Sequence, residues 1–247
     1  MKEQIGCDWF GATMRMGGFI VAAMLASSAG AQVSWVGDTA VNDAWALGSN
    51  WSSGLVPTTT DDVVVNAGSS ALNPVEISAA GQGAKSFKLG AASGDFGALL
   101  MSGGDFYTPG EFRIGDAGAG HLKMTNGLLV AKSAISLGRA SSGTGALFLE
   151  GGVMGCTNDV VVGYSGTGTV VVSGGTLYTS GNYSDPTLGY SAGSLGTVVV
   201  SNGTLRSGYA MYVGVSGSGQ LIQAGGDITM SRQLYVGSES SGSGKVD

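Results

Sequence analysis

Charge, proline, cysteine and histidine are all scarce in this 247-residue sequence: charged residues make up 11%, with 4 prolines, 2 cysteines and 1 histidine. Each shortage excludes something. Disorder needs low hydrophobicity with high net charge, but the mean hydropathy is +0.24 and the formal charge is -6. Collagen is excluded because proline is scarce and the glycines follow no three-residue period. The 11 basic residues are scattered, so no basic stripe exists to neutralise phosphates and no nucleic-acid partner is expected. One histidine and two cysteines leave too few soft ligands for a metal cluster, and neither a metal nor a cofactor is expected.

What is abundant is glycine, at 46 residues. Glycine costs roughly 1 kcal/mol at each helical position, so the chain reads as all-β, with short strands and many turns. The first 31 residues read differently. Lys2 and Arg15 precede an apolar run at residues 16–26, and a small-residue stretch ends at Ala31. This is the pattern of a secretory signal peptide cleaved after Ala31. The run is too short to span a bilayer, and the competing reading is a retained anchor or buried segment. Cleavage would remove Cys7 and leave Cys156 alone, so no intrachain disulfide is expected. Cys156 itself reads as a small residue in a loop rather than a nucleophile.

The main signal is a repeat. A glycine follows a short apolar strand at Gly90, Gly115, Gly138, Gly163, Gly189, Gly214 and Gly237, at spacings of 25, 23, 25, 26, 25 and 23. The preceding residue is always apolar: Leu89, Ile114, Leu137, Val162, Leu188, Val213 or Val236. Two residues earlier stand Phe87, Phe112, Ile135, Val160, Pro186, Met211 and Leu234, with Lys88, Arg113, Ser136, Val161, Thr187, Tyr212 and Tyr235 between. This alternation predicts a half-buried strand in each unit. A second strand follows, with inward residues such as Leu122 and Met124 or Val170 and Val172, and in the last unit Leu221 and Gln223. Glycine steps near Gly104, Gly127 and Gly152 then lead to a third apolar position at Phe106, Leu129 or Met154.

A unit of about two dozen residues cannot bury enough apolar surface to offset its own ordering entropy, so the units must stack. The glycines supply corners with positive φ, and Asn126 and Asn202 are read as substituting for glycine there. The predicted architecture is a parallel β-helix (solenoid) of about seven or eight coils with an N-terminal cap. Residues 32–84 form the cap and first coil, and residues 85–247 form repeats that stop inside a unit, as a fragment of a longer protein would. A propeller blade needs about 40–45 residues and four strands, and a sandwich does not generate such regular spacing.

The unit at residues 160–177, VVVGYSGTGTVVVSGGTL, resembles the short repeat of autotransporter (type V secretion) passengers and PEP-CTERM-associated bacterial proteins. The likeness spans residues 87–247, and the opening segments at residues 35–37, 50–54 and 61–65 resemble the start of such proteins. It implies a right-handed β-helical passenger, secreted or on the cell surface of a Gram-negative bacterium. The translocating barrel or sorting tail of those families has no counterpart in this sequence.

Two groups of residues suggest interaction. The outward position of the second strand reads Leu100, Lys123, Phe148, Val171, Val199 and Ile222, which is apolar on a solvent face and marks a surface for self-association or adhesion. Trp35, Trp45 and Trp51 either stack on sugar rings of a surface polysaccharide or plug the open end of the core; the plug is favoured because solenoids need atypical terminal units. Tyr164, Tyr190, Tyr212 and Tyr235 cluster near the repeat glycines, and the most variable connections are residues 153–159 and 178–186.

Catalytic templates fail. Asp61-Asp62 is the only adjacent acidic pair beyond residue 31 and reads as a turn cap. The Gly-Gly-Asp steps at residues 103–105 and 225–227 lack the calcium nonapeptide pattern, and residues 242–245 lack the remainder of a phosphate loop. An ice-binding or polysaccharide-binding face needs repeated outward threonines, which the outward positions from Lys88 to Tyr235 do not provide. The expectation is a non-enzymatic exported scaffold with an adhesive or structural role. The alternative is a carbohydrate-active β-helix enzyme, or a polysaccharide-binding module, whose active part lies elsewhere.

Overall fold

The computed structural model describes residues 32–38, 43–66 and 73–247; residues 1–31, for which the sequence suggests a signal peptide, lie outside them. The chain winds as a parallel β-solenoid. Its strands form three sheets of nine, eight and seven members, and all strand pairs within the sheets are parallel. One coil is a short strand in the first sheet, a six-residue strand in the second and a four-residue strand in the third, for example Ile135–Leu137, Thr144–Leu149 and Val153–Cys156. Among the described residues seven coils have all three strands, and Leu234–Val236 and Ser243–Val246 begin an eighth.

Stacking is in strict register. Leu137 pairs with Ile114 on one side and Val162 on the other, and Val162 pairs in turn with Leu188. All four are essentially inaccessible to solvent. The inward residues therefore form continuous columns, each side chain covered by its equivalents about 4.8 Å above and below. Phe87, Phe106 and Phe112 fill the N-terminal part of the core, and aliphatic residues fill the rest. In the last coil the inward positions lose their cover: Gln223, Leu234 and Val236 are exposed.

Glycine serves two purposes. Gly138 ends a first-sheet strand at φ +62, a left-handed conformation that side chains with a Cβ rarely adopt. Gly145, at the start of the next strand, has no such φ; a Cβ there would stand 2.1 Å from the Ile114 carbonyl oxygen. Its role is to let backbones of adjacent coils approach. The expectation that Asn126 and Asn202 occupy positive-φ corners is corrected, because Tyr183 is the only non-glycine residue with positive φ among the described residues. The positive φ after Asn126 belongs to Gly127.

The three corners of a coil differ. Three residues connect the second sheet to the third in every described coil from Met101 onward, and three connect the third to the first except at residues 180–185. The variable connection expected at residues 153–159 is corrected accordingly, since Val153–Cys156 is a regular strand in register with Leu128–Ala131. Only the insertion before Pro186 is real.

The corner from the first sheet to the second alternates. Six residues separate Gly90 from Gly97, four separate Gly115 from Gly120, and the numbers six and four keep alternating through Gly237 and Gly244. Each long corner contains an extra turn, closed by N–H to carbonyl bonds from Asp95 to Ala92, Gly143 to Ala140, Ser194 to Ser191 and Gly242 to Glu239. The true structural period along this edge is two coils, about 9.6 Å.

The tryptophans close the N-terminal end. Trp35, Trp45 and Trp51 are all buried; Trp45 and Trp51 meet at 4.5 Å between ring centroids, and Trp45 continues onto Phe106 at 5.2 Å. The Trp51 indole N–H donates to the Trp45 carbonyl at 2.8 Å. The carbohydrate-stacking reading of these three residues is thereby corrected: their rings cap the core columns and offer no face to a sugar.

Candidate functional site

The apolar column read from the sequence exists as one physical stripe. Leu100, Lys123, Phe148, Val171, Val199 and Ile222 are consecutive register partners in the second sheet. Each points outward: Lys123 and Phe148 are exposed, and Leu100, Val171, Val199 and Ile222 are partly buried. Alternation along the strand makes this unavoidable: inward Leu147 and Leu149 flank outward Phe148, and the same holds in each coil. The one charge in the column, Lys123, is paired with Glu150 at 2.9 Å, so its aliphatic stem lies on the stripe.

Beside this column runs another, Ala98, His121, Ala146, Thr169, Thr197 and Gln220, and beyond it Phe96, Ala119, Thr144, Thr167, Leu195 and Ser218. The outward positions from Lys88 to Tyr235 that lack a threonine array belong to the first sheet. Thr144, Thr167, Thr169 and Thr197 do face outward on the second, but Ala146 and Leu195 interrupt them, so the array is broken.

Near the N-terminal end of this face lies a recess of about 580 Å³ whose lining includes Pro74, Leu100, His121, Lys123, Phe148 and Glu150. His121 sits between the rings of Phe96, at 5.1 Å, and Phe148, at 6.4 Å. Burial holds its imidazole below the ordinary histidine pKa, so it is neutral at physiological pH. The recess can take an apolar or planar group and offers one neutral donor-acceptor. Its charged groups, Glu150 and Lys123, are paired with each other at 2.9 Å, and Thr125 contributes a hydroxyl to the lining. His121 was missed as part of a site because Phe96 and Phe148 reach it from neighbouring coils, 25 and 27 residues away in sequence.

The other singled-out residues have structural surroundings. Cys156 is corrected from loop to strand: it ends Val153–Cys156, faces the core, and donates to the Asn158 carbonyl at 2.8 Å. Burial pushes its thiol up to about 12, the opposite of an activated nucleophile. Asp61 does cap a turn, accepting from the Thr58 N–H at 2.8 Å. Asp62 instead accepts from the Ser86 hydroxyl at 2.6 Å and pairs with Lys85; chiefly that hydroxyl holds its carboxyl below the usual range. Among the described residues no group of three or more His, Cys, Asp or Glu side chains could hold a metal ion, and no helix is long and apolar enough to cross a membrane.

The tyrosines lie on the outer face and edge of the first sheet. Tyr164 and Tyr190 are 4.9 Å apart, and Tyr212 and Tyr235 stack at 4.7 Å with planes 10° apart. The N-terminal half of this face is charged instead, with Lys88 and Arg113 both bound to Asp116. No protein-family model, curated protein or solved structure matches the chain.

Proposed function

We propose that this chain is an exported, non-enzymatic repeat scaffold, of the kind carried by autotransporter passengers, that acts at the cell surface or outside the cell through its outer second-sheet face. The observation carrying the reading is the in-register outward column Leu100, Lys123, Phe148, Val171, Val199 and Ile222, apolar at five of its six positions. A run of four apolar positions from Phe148 to Ile222 on an outer face marks a contact surface, and the sheet beneath holds these residues at the spacing of the coils. The apolar run ahead of Ala31 supports export.

Two measurements test the reading. Expressed with residues 1–31 in a Gram-negative host, the chain is expected outside the cytoplasm with Gln32 as its first residue. A cytoplasmic chain starting at its initiator methionine would overturn export. In sedimentation velocity, the chain is expected to self-associate with rising concentration, and Val171→Asp with Val199→Asp to abolish this. Identical monomeric profiles would remove the stripe as the basis of adhesion.

A further inference from the structure

The alternating corners give the edge between the first and second sheets a relief of ridges and notches. Long corners project, with Ser93 and Gly94, Ser141 and Ser142, Ala192 and Gly193, and Ser240 and Ser241 exposed at their tips. Short corners are set back between them, and their Gly118, Gly166 and Gly217 are buried. Three notches follow, opening with Asp116, Tyr164 and Val215 respectively.

The first two notches are filled from within. Asp116 is held by Lys88 and Arg113, each at 3.0 Å. The Tyr164 ring is covered by the Arg139 guanidinium at 3.8 Å on one side and Tyr190 at 4.9 Å on the other. At the third notch the equivalent residue is Val215, too short to continue the column. Tyr190 is 43% exposed there. The resulting recess, of about 320 Å³, is lined by Thr187, Tyr190, Tyr212, Val215, Ser238 and Glu239.

We propose that this third notch binds a neutral polysaccharide, one pyranose ring lying against Tyr190 with Tyr212 as the side wall. This rests on the adhesive reading in one respect: it names what such a scaffold would hold. A pyranose has an apolar C–H face and a rim of hydroxyls. The notch offers the complementary set, aromatic walls with Thr187, Ser238 and the tyrosine hydroxyls around them, and the Glu239 carboxylate as an acceptor. Glu239 accepts a bond from Ser216, which fixes its position. The lining contains no cation, so an anionic polymer would meet an uncompensated carboxylate.

The test is affinity electrophoresis of the purified chain in native gels containing hydroxyethylcellulose, galactomannan, xyloglucan or laminarin, with alginate as the anionic arm. At least one neutral polymer is expected to retard the protein and alginate is not. Val215→Tyr, which extends the ring column as Tyr164 does at the equivalent site, should close the notch and abolish retardation while leaving thermal unfolding unchanged. Tyr190→Ala should weaken binding roughly tenfold. Tyr107→Ala, at an exposed tyrosine on the third sheet, should run as the parent does. Absence of retardation by every neutral polymer, retardation by alginate alone, or parent-like mobility of both notch variants overturns the proposal. None of these outcomes depends on export or on the second-sheet stripe, whose failure would appear in fractionation and sedimentation instead.

Discussion

Trp45 and Trp51 are joined twice, by an indole N–H to carbonyl bond of 2.8 Å and by ring centroids 4.5 Å apart. Together they cover the first coil's core, and Trp45 also touches Phe87 and Phe106. Removing the Trp45 side chain would therefore uncover the innermost aromatic columns as well as unseat Trp51. Trp45→Ala is expected to cost about 3–5 kcal/mol, measured by chemical denaturation. A loss under about 1 kcal/mol would mean that the end of the solenoid is stabilised by something else.

The two glycine roles separate under substitution. Gly145→Ala drives a Cβ into the Ile114 carbonyl and should either prevent folding or cost at least about 3 kcal/mol. Gly94, at the tip of a long corner, has φ +89 and open space around its Cβ position. Gly94→Asn is expected to cost less than about 1 kcal/mol, because asparagine tolerates the left-handed region. Thermal unfolding of the pair is the check, and equal losses would contradict the assignment of close coil approach to the Gly145 column.

His121 is the chain's one histidine, so its titration can be followed by NMR without assignment. Burial lowers its pKa from 6.5, and the midpoint is expected below that value. The unfolded chain then takes up the proton first as pH falls. The stabilisation is fully present above pH 6.5 and is lost as the pH drops through the lowered folded value. His121→Gln should remove this part of the pH dependence. A midpoint at 6.5 would place the ring in water, and one above 6.5 would place it beside an anion.

Cys156 should be silent toward thiol reagents. Its side chain is buried and its pKa is pushed up to about 12, so almost no thiolate exists at pH 8. In a chain beginning at Gln32 it is the sole thiol. Labelling by Ellman's reagent is expected to be negligible in the native protein and complete in guanidinium. Rapid native labelling would show that the coil opens at that strand.

Much of the fold was legible because each coil solves the same packing problem with the same residue types. Leu137, Val162 and Leu188 had to share a column once their spacing was recognised. The stripe from Leu100 to Ile222 followed from strand alternation. The corners were less legible. Spacings of 25 and 23 alternate in the sequence, but Gly and Ser occupy long and short corners alike, so nothing marks where the two extra residues reside. The 26-residue interval between Gly163 and Gly189 masks the pattern further, since the insertion at residues 180–185 adds three residues to a coil with a short corner. The Gly145 column was overlooked for a related reason: its requirement comes from the Ile114 carbonyl one coil away, not from its own backbone angles. The notch at Val215 depends on a comparison with Tyr164 across two coils, a relation no local motif expresses.

The alternation also constrains how such a protein can change length. Duplicating or deleting a single coil would set two projecting turns, or two recessed ones, side by side, and every position beyond would exchange its surroundings. Adding or removing coils in even numbers preserves the profile of that edge, so viable relatives of different length are expected to differ by multiples of about 48 residues, two coils at a time.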